Sequence, residues 1–361
     1  MNRRNLLKKT IAGMAMALGV MSSAAQAEDV TKVGFVYVGP ISDHGWSYQH
    51  DQGRLAVEKA FGDKVKTSYV EKVAEGADAE RVIRKLASTG HDIIFTTSFG
   101  YMNPTLKVAK QFPKVNFEHA TGYKTAKNMG IYNARFYEGR YVMGQVAAKM
   151  SKTGVLGYVA SFPIPEVVRG INATVQGMRS INPDAKVKVV WVNSWYDPGK
   201  EGDAAKALID QGVDIIMQHT DSPAPLQVAE KRGVYAFGQA SDMSAFAPKA
   251  HISAIIDDWS GYYVQKVKDT MDGTWKSDDT WGGIKSGMVG IGPFADFVPK
   301  EIVAEAEVTI DKIKSGELHP FQGPIKDQSG KVVVAEGEVL SEGKLLGMNW
   351  YVEGVDGQLP K

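Results

Sequence analysis

Strand-like and helix-like segments alternate along most of this chain, and that alternation limits what it can fold into. The first unit is a β-rich run from Val33 to Val38 that breaks at Gly39-Pro40, crosses a polar turn and enters a helix. We expect the inward side of this helix to be apolar and to consist of Leu55, Ala56, Val57, Ala60 and Phe61. Further strands are predicted at 65–70, 92–97, 115–119 and 129–134, with helices at 78–88 and 105–112. This order predicts a parallel sheet with helices on both faces.

A second series of the same kind begins at residue 140. Helices are predicted at 140–150, 165–180 and 200–211, and strands at 156–160, 187–192, 215–218 and 235–238. The same motif is therefore built twice, and two such α/β lobes in one chain form a cleft. We expect the chain to cross between lobes near 133–138 and 252–257, and to return through helices at 258–275 and 294–315. In open α/β sheets, ligands bind beyond the carboxyl ends of the strands.

The length of the chain also suggests two domains. At about 100–200 residues per domain, 361 residues correspond to two. We divide the chain into a leader (1–27), a first lobe (28–135 plus about 256–318), a second lobe (136–255) and a tail (319–361). Glycines punctuate short apolar strands in the tail, which predicts a β-rich wrap across the lobes; a partner-binding surface is the alternative.

The first 27 residues have the pattern of a secretory signal. Four basic residues precede a modest apolar stretch, Ile11–Val20, and an Ala25-Gln26-Ala27 cleavage site. The apolar stretch is far shorter than the about 20 residues of a membrane span, so we expect the mature chain to begin at Glu28 in the periplasm. The run from Arg3 to Lys8 resembles a twin-arginine export signal. Asn2 stands where a serine or threonine is usual, which leaves the export route open.

The chain contains no cysteine. This excludes disulfides, thiol catalysis, thiolate metal sites and a lipidated cysteine after the leader. We therefore expect a mature protein without a lipid anchor. Without the four basic residues of the leader the formal charge falls from +1 to −3, and nothing in that balance indicates a nucleic-acid partner.

Signatures of catalysis are missing from the sequence. It has no G-x-S-x-G elbow, no G-x-x-x-x-G-K-[ST] phosphate loop, no G-x-G-x-x-G fingerprint and no H-E-x-x-H helix. His44, His50 and Asp51 lack the spacing of metal ligands, and we interpret them as solvated loop residues. Asp257 and Asp258 are adjacent, so at most one of these carboxylates reaches the cleft. The sequence predicts neither an enzyme nor a bound cofactor or metal.

Two tryptophans follow predicted strands of different lobes. Trp46 comes after the first strand, and Trp195 comes after the strand at 187–192. Together they could clamp a flat ring, and stacking of this sort contributes about 1–3 kcal/mol per base in nucleic-acid complexes. Taken alone, Trp46 could equally do no more than cover the top of its own lobe.

Other candidate ligand-binding residues lie at neighbouring strand ends. Those of the first lobe follow the strand at 92–97 and are Ser98, Phe99 and Tyr101. In-plane hydrogen bonds to a clamped ring would come from Asp221, Gln239 and Asp257. A buried carboxylate accepts hydrogen bonds, which suits ring N–H and exocyclic amine donors.

Several motifs occur in the order and spacing of a known family. They are Asp43-His44-Gly45-Trp46-Ser47, Tyr137-Glu138-Gly139 with Tyr141 and Gly144, Ser194-Trp195-Tyr196-Asp197-Pro198, and Gly238 with Ser241-Asp242. Through them the chain resembles the basic-membrane-protein family of ABC-transporter substrate-binding proteins, which includes purine-nucleoside receptor lipoproteins. The resemblance covers the mature chain to about residue 325. It implies two Rossmann-like, doubly wound lobes hinged by crossover strands, the type I periplasmic binding protein architecture, and a permease partner in the inner membrane.

The resemblance also assigns roles, and this chain departs from some of them. Trp46 and Trp195 take the positions of the stacking aromatics of the family. Tyr37 and Ala240 stand where the family often has aspartates, and Asp257 replaces a common lysine. Those charged positions resemble the ones that hold the sugar and base of a nucleoside. We therefore predict a pocket that keeps the ring clamp, loses the sugar site and binds a free purine base such as adenine.

Three other functions remain open. The first is a purine nucleoside receptor of the same importer class. The second is a periplasmic nucleosidase or deaminase that uses Asp221 or Asp257, against which the missing metal ligands argue. The third is a sensory module that passes a closed state to a membrane receptor.

Overall fold

The computed structural model describes residues 30–360, which form two mainly parallel β-sheets flanked by helices and one small two-stranded antiparallel sheet. The strands are β1 Thr31–Val36, β2 Val65–Val70, β3 Ile93–Thr96, β4 Asn116–Ala120, β5 Met129–Ala134, β6 Val155–Ala160, β7 Lys186–Trp191, β8 Ile215–His219, β9 Tyr235–Gly238, β10 His251–Asp257, β11 Asp279–Gly282, β12 Val289–Ile291, β13 Ile325–Lys326, β14 Val332–Val334 and β15 Val355–Asp356. The predicted signal sequence lies outside the described residues.

Ten α-helices occur in the described part of the chain. They are α1 Gly45–Phe61, α2 Ala77–Ser88, α3 Met102–Ala109, α4 Phe136–Met150, α5 Pro165–Arg179, α6 Pro198–Asp210, α7 Ala224–Arg232, α8 Ser260–Met271, α9 Lys300–Ser315 and α10 Glu342–Leu346. The sequence pattern did not predict α7, which begins beside two prolines, a residue that suits the first turn of a helix. Within residues 30–360, none of the helices has both the length and the hydropathy of a membrane crossing.

The two sheets repeat one strand order. The first runs β2-β1-β3-β4-β5-β11 and is parallel throughout, and the second runs β15-β7-β6-β8-β9-β10-β12 with only β12 antiparallel. In each lobe the strand order reverses beside its first strand, between β1 and β3 and between β6 and β8. The predicted α/β class with two doubly wound lobes is confirmed, and these reversal points are where such folds bind ligands.

The chain crosses between the lobes three times. After β5 it enters α4 of the second lobe, and after β10 it enters α8, which packs on α1 of the first. The third crossing, between β11 and β12, was not predicted. The predicted first lobe took in about 256–318 as a whole, whereas β12 and α9 lie with the second lobe. The reason is that β12 pairs with β10 at the sheet edge and α9 packs on α4.

Helix α1 is buried through polar and aromatic residues and through Val57, the one fully buried member of the predicted apolar side. Leu55 is 41% exposed, whereas His50 and Asp51 are buried. The ring of His50 stacks on Trp259 at a centroid distance of 4.9 Å, and Asp51 pairs with Arg54. The interpretation of His50 and Asp51 as solvated loop residues was therefore wrong, because packing of α8 against α1 encloses them.

The tail contains little regular strand and lies mainly on the second lobe. Its strand β15 pairs with β7, and Asn172 of α5 donates to the carbonyl of Trp350. Arg169, also on α5, donates to the carbonyl of Leu345. Near the first crossing, Arg135 forms an ion pair with Glu342 of α10. The role of this tail as a wrap across both lobes stays a prediction.

Two glycines let α4 and α5 approach each other closely. A Cβ on Gly144 would lie 2.3 Å from the carbonyl oxygen of Thr174, and one on Gly177 would lie 2.1 Å from that of Tyr141. Backbone atoms fill both positions, so neither residue can become larger unless the helices separate.

We expect Gly177→Ala to lower the free energy of unfolding by about 1–3 kcal/mol, the usual cost of overpacking. Gly261→Ala on α8 is the matched control, because no atom lies within 4 Å of its added Cβ. Alanine is a better helix former than glycine, so the control should be neutral or stabilising by up to about 1 kcal/mol. Urea denaturation measures both. Equal stability of the two variants would contradict the close helix contact.

Candidate functional site

A narrow cavity, with about 340 Å³ of empty space that is partly open to solvent, lies between the lobes at the carboxyl ends of their strands. From the first lobe it is lined by Val38, Trp46, Ser98, Phe99 and Thr121. From the second lobe it is lined by Glu166, Trp195, His219, Asp221 and Gln239. These residues follow β1, β3 and β4 in one sheet and β6, β7, β8 and β9 in the other, so the cavity spans both reversal points.

Trp46 lies in the first turn of α1 rather than in the preceding loop, and it is 9% exposed. Its indole N–H donates to the carbonyl of Thr97 at 2.6 Å. Phe136 and Trp259 meet its ring edge-to-face, with centroids at 5.9 and 5.6 Å. The ring is therefore held on several sides, and its only polar atom already has a partner.

Trp195 is the counterpart on the second lobe. Its ring packs at 5.0 Å from that of Phe162, and its N–H reaches across the cleft to Glu75 Oε1 at 3.1 Å. The same oxygen accepts hydrogen bonds from Ser98 Oγ at 2.6 Å and from the backbone N–H of Gly100 at 2.8 Å. Glu75 thus joins the aromatic of one lobe to the ligand-facing loop of the other.

The N-terminus of α1 is held by groups of the second lobe. The N–H of Gly45 donates to Ser241 Oγ at 2.7 Å, and His44 Nδ1 donates to the carbonyl of Asp242 at 2.7 Å. The N–H of Trp46 interacts with the carboxylate of Asp221. The first four backbone N–H groups of a helix lack acceptors within the helix. Here the opposite lobe supplies acceptors for two of them, Ser241 for Gly45 and Asp221 for Trp46. The structure therefore has its lobes closed on one another.

Two carboxyl groups near the cavity have strongly shifted pKa values. Burial raises the pKa of Asp221 well above its usual range and the charge of Glu201 raises it further, while the N–H of Trp46 opposes the rise. Burial likewise raises the pKa of Asp257, and the charge of Arg140 opposes that rise. Both groups are so enclosed that a charge on either depends on the few donors beside it.

Glu166 and His219 form a second polar group on the cavity wall. His219 Nε2 lies 3.4 Å from Glu166 Oε1, and burial lowers the pKa of His219, so its ring is neutral at pH 7. Glu166 Oε2 and His219 Nδ1 are buried and have no hydrogen-bond partner among the described residues. Buried polar atoms usually have partners, so these two atoms are exceptions on the cavity wall.

The structure brings together six of the eight residues predicted for the site. They are Trp46, Ser98, Phe99, Trp195, Asp221 and Gln239. Tyr101 lies elsewhere: it is 0% exposed, and its hydroxyl donates to the carbonyl of Val73. Asp257 does not line the cavity either, although its Oδ2 is buried without a hydrogen-bond partner among residues 30–360.

Sequence reasoning missed four lining residues: Val38, Thr121, Glu166 and His219. The search followed aromatic residues with small polar neighbours, and these four lack that signature. Val38, Thr121 and His219 nevertheless lie at or within two residues of the carboxyl end of a strand, and Glu166 lies in the first turn of the helix that follows β6. Collecting every residue at those ends would have found them, together with many that do not line the cavity.

A larger cavity adjoins the first. It has about 1010 Å³ of space that is partly open to solvent, and it shares Phe99, Thr121 and Glu166 with the smaller cavity. Its far wall includes Trp281 of β11 and Glu342 of α10. The interlobe cleft therefore continues toward the tail. Among residues 30–360, no group of His, Asp or Glu side chains is arranged to hold a metal ion.

Two doubly wound lobes that close over a cavity at their facing strand ends define a cleft-type binding protein for small solutes. The chain belongs to the family of PnrA-like ABC transporter substrate-binding proteins, whose family model matches residues 30–322. The predicted family resemblance is confirmed.

Three of the relatives are named as purine-, glucose- or nucleoside-binding proteins. A purine-binding protein of Brucella abortus (strain 2308) is 59% identical over 352 residues, 98% of this chain and 99% of that protein. A Haloferax volcanii protein named for glucose binding in an ABC transporter is 40% identical over 333 residues, 92% of this chain and 82% of that protein. A nucleoside-binding protein of Lactococcus lactis is 28% identical over 130 residues, 36% of this chain and 37% of that protein.

Solved structures share the fold. A solute-binding protein of an ABC transporter system from Aeropyrum pernix K1 has a TM-score of 0.70 at 18% identity and covers 82% of this chain and 93% of its own. A solute-binding protein from Conexibacter woesei has a TM-score of 0.64 at 23% identity, and the match covers 80% of this chain and 98% of that protein. At these sequence identities, the structural similarity shows that the fold is shared.

We expect Gly45→Ala to open the cleft. Gly45 has φ +77°, and a Cβ there would lie 2.7 Å from the carbonyl oxygen of Asp221 in the other lobe. Gly62→Ala at the other end of α1 is the control, since its φ of +53° brings the same kind of backbone strain but no atom lies within 4 Å. Small-angle X-ray scattering should show a larger radius of gyration for Gly45→Ala only. Equal radii for the two variants would contradict this lobe contact.

Proposed function

We propose that this chain is the periplasmic receptor of an ABC importer for a free purine base, with adenine as the leading candidate. The observation that carries the proposal is that two tryptophans from opposite lobes line one interlobe cavity. Each has its N–H bonded to protein, Trp46 to Thr97 and Trp195 to Glu75. What remains for a ligand is the aromatic ring, and a flat heterocycle suits such a surface.

Polar groups around the same cavity suit the edge of a purine. Asp221 and Glu166 can accept hydrogen bonds from ring N–H or amino groups, and Gln239 and His219 can donate or accept. A small number of polar groups in a mainly apolar cavity is the usual design of a small-molecule site. The relative from Brucella abortus, at 59% identity, is named a purine-binding protein, which supports the same ligand class here.

Tyr37 and Ala240, at positions where the family often has aspartates, favour a free base over a nucleoside as the ligand. Tyr37 is fully buried, and its hydroxyl donates to Asp51 at 3.2 Å, so it belongs to the core of the first lobe. Ala240 is buried as well, and its carbonyl accepts the N–H of Asp257. Neither side chain can bind the hydroxyls of a sugar as a carboxylate would.

A purine nucleoside is the second candidate, and one observation favours it. The adjoining cavity of about 1010 Å³ shares three residues with the smaller one, so a sugar attached to the base has space there. The relative from Lactococcus lactis is named a nucleoside-binding protein. A nucleoside would be favoured over a free base if polar groups around the larger cavity form hydrogen bonds with the sugar.

Delivery to a permease follows from the class of protein. Substrate-binding proteins of ABC importers act outside the cytoplasmic membrane, and we propose that the permease recognises the closed form described above. Closure brings the loops of both lobes onto one ligand, so the closed surface reports that a ligand is bound. The family consists of substrate-binding proteins, and we assign no catalytic step to Asp221 or Asp257.

The ligand class can be tested by thermal unfolding of refolded, ligand-stripped protein. A ligand that binds only the folded state raises the unfolding temperature by mass action. We expect a shift with adenine, guanine, hypoxanthine or xanthine and none with their ribosides, glucose or amino acids. A shift with the ribosides would support the nucleoside receptor instead. A shift with glucose alone would overturn the purine proposal.

The clamp can be tested at Trp195. We expect Trp195→Ala to weaken purine binding by about tenfold or more, the loss of one stacking partner, with little change in stability because the residue lies in a loop. Trp195→Phe keeps a smaller aromatic ring but loses the N–H to Glu75, so it should bind more tightly than Trp195→Ala. Calorimetric titration measures both. Equal purine affinity of wild type and Trp195→Ala would contradict the proposed clamp.

A further inference from the structure

A buried arginine lies beside one of the cavity residues. Arg140 is in the second turn of α4 and is 1% exposed, and its Nη2 donates to Oε1 of Gln239. Gln239 directly follows β9, is 5% exposed and lines the cavity. Both residues belong to the second lobe, so opening and closing of the cleft leaves their contact unchanged.

Chemistry fixes the direction of this hydrogen bond. A guanidinium group has five N–H donors and no acceptor. The atom of Gln239 that faces Arg140 must therefore be the carbonyl oxygen, even though the oxygen and nitrogen of a glutamine amide are easily interchanged in a structure. The amide nitrogen Nε2 is left on the side away from Arg140.

We propose that Arg140 is a positioning residue that makes Gln239 a hydrogen-bond donor to the ligand. With its oxygen held by Arg140, Gln239 presents Nε2–H to an unprotonated ring nitrogen of the heterocycle. A glutamine without this contact could rotate its amide and accept a hydrogen bond from a ring N–H equally well. Arg140 therefore restricts Gln239 to the role of donor, which selects ligands with an acceptor at that position. This inference rests on the proposed function and specifies how the same cavity chooses its ligand.

The surroundings of Arg140 argue against a role in stability alone. Its Nε and Nη1 are buried and have no hydrogen-bond partner among the described residues. The ring of Tyr158 lies 5.4 Å from its Cζ, and the carboxylate of Asp257 interacts with its charge. Burying an incompletely paired charge is unfavourable, and an apolar side chain of similar volume often stabilises a protein better. The arginine is therefore explained best by what it does to Gln239.

A second wall of the cavity complements this donor. Glu166 Oε2 is buried without a partner among residues 30–360, and the residue lines the cavity opposite the first-lobe loops. A carboxylate only accepts hydrogen bonds. With Gln239 fixed as donor, it and the acceptor Glu166 form a donor–acceptor pair among the polar groups of the second lobe that line the cavity. A heterocycle with a bare ring nitrogen and an N–H or amino group fits both.

Calorimetric titration with adenine and three analogues tests the proposal. In 1-deaza-, 3-deaza- and 7-deazaadenine one ring nitrogen is replaced by C–H, which cannot accept a hydrogen bond. We expect wild type to bind one of the three about tenfold more weakly than adenine, since Nε2 then lies unpaired in the cavity. Gln239→Glu keeps an oxygen toward Arg140 but has no N–H, so it should bind adenine about tenfold more weakly and lose that discrimination.

Two variants of Arg140 separate positioning from structure. Arg140→Lys is still only a donor and should keep the discrimination between adenine and the analogue. Arg140→Gln can also accept, which frees the amide of Gln239 to rotate, so the discrimination should fall. Unfolding temperatures without ligand show whether each variant is folded. If either variant is unfolded, Gln239→Glu, which retains a partner for Arg140, decides whether Gln239 is the donor.

The outcomes distinguish this inference from the proposed function. If wild type binds adenine but no analogue more weakly, or if Gln239→Glu and Arg140→Gln keep the selectivity of wild type, the positioning role is overturned and purine binding stands. If wild type binds no purine, the proposed function fails and this inference fails with it.

Discussion

The hydrogen bonds between the N-terminus of α1 and the second lobe are the contacts on which the site depends. The first turn of a helix has unpaired N–H groups and a partial positive charge. Asp221 and Ser241 meet that turn from the opposite lobe. Since Asp221 also lines the cavity, one of the residues that hold the lobes together would also contact a ligand bound there. In the proposed site, lobe closure and ligand binding are therefore coupled through Asp221.

The cavity combines rigid aromatic walls with polar groups that lack partners within the protein. Glu166 Oε2 and His219 Nδ1 are buried and unpaired among the described residues. Such groups cost about 1–3 kcal/mol each when they lack a hydrogen bond. A ligand that satisfies them removes this cost, and water does so when the lobes separate. The closed form is therefore favoured most when a complementary ligand is present, which is the property an importer receptor needs.

Sequence periodicity predicted the buried parallel strands well because they are short continuous apolar runs, as in β3, which lies within the predicted strand at 92–97. It failed on α1, where the buried side includes His50 and Asp51. Polar residues buried by partners from distant segments leave no apolar period to detect. The same reason explains which site residues the sequence predicted. Trp46 and Trp195 were predicted because they are large aromatic residues that follow strands, whereas Glu166 has no such signature. Tyr101 shared the aromatic signal but points into the core.

The two lobes contribute unequal parts of the proposed site, and that sets an order of events. The second lobe carries most polar groups that could read a ligand edge, Glu166, His219, Asp221 and Gln239, together with Trp195. The first lobe contributes mainly the ring of Trp46 and the loop with Ser98 and Phe99. The hydrogen bond between Gln239 and Arg140 lies within the second lobe, so opening of the cleft does not require it to break. A ligand would therefore be selected on the second lobe first, and Trp46 would cover it as the lobes close.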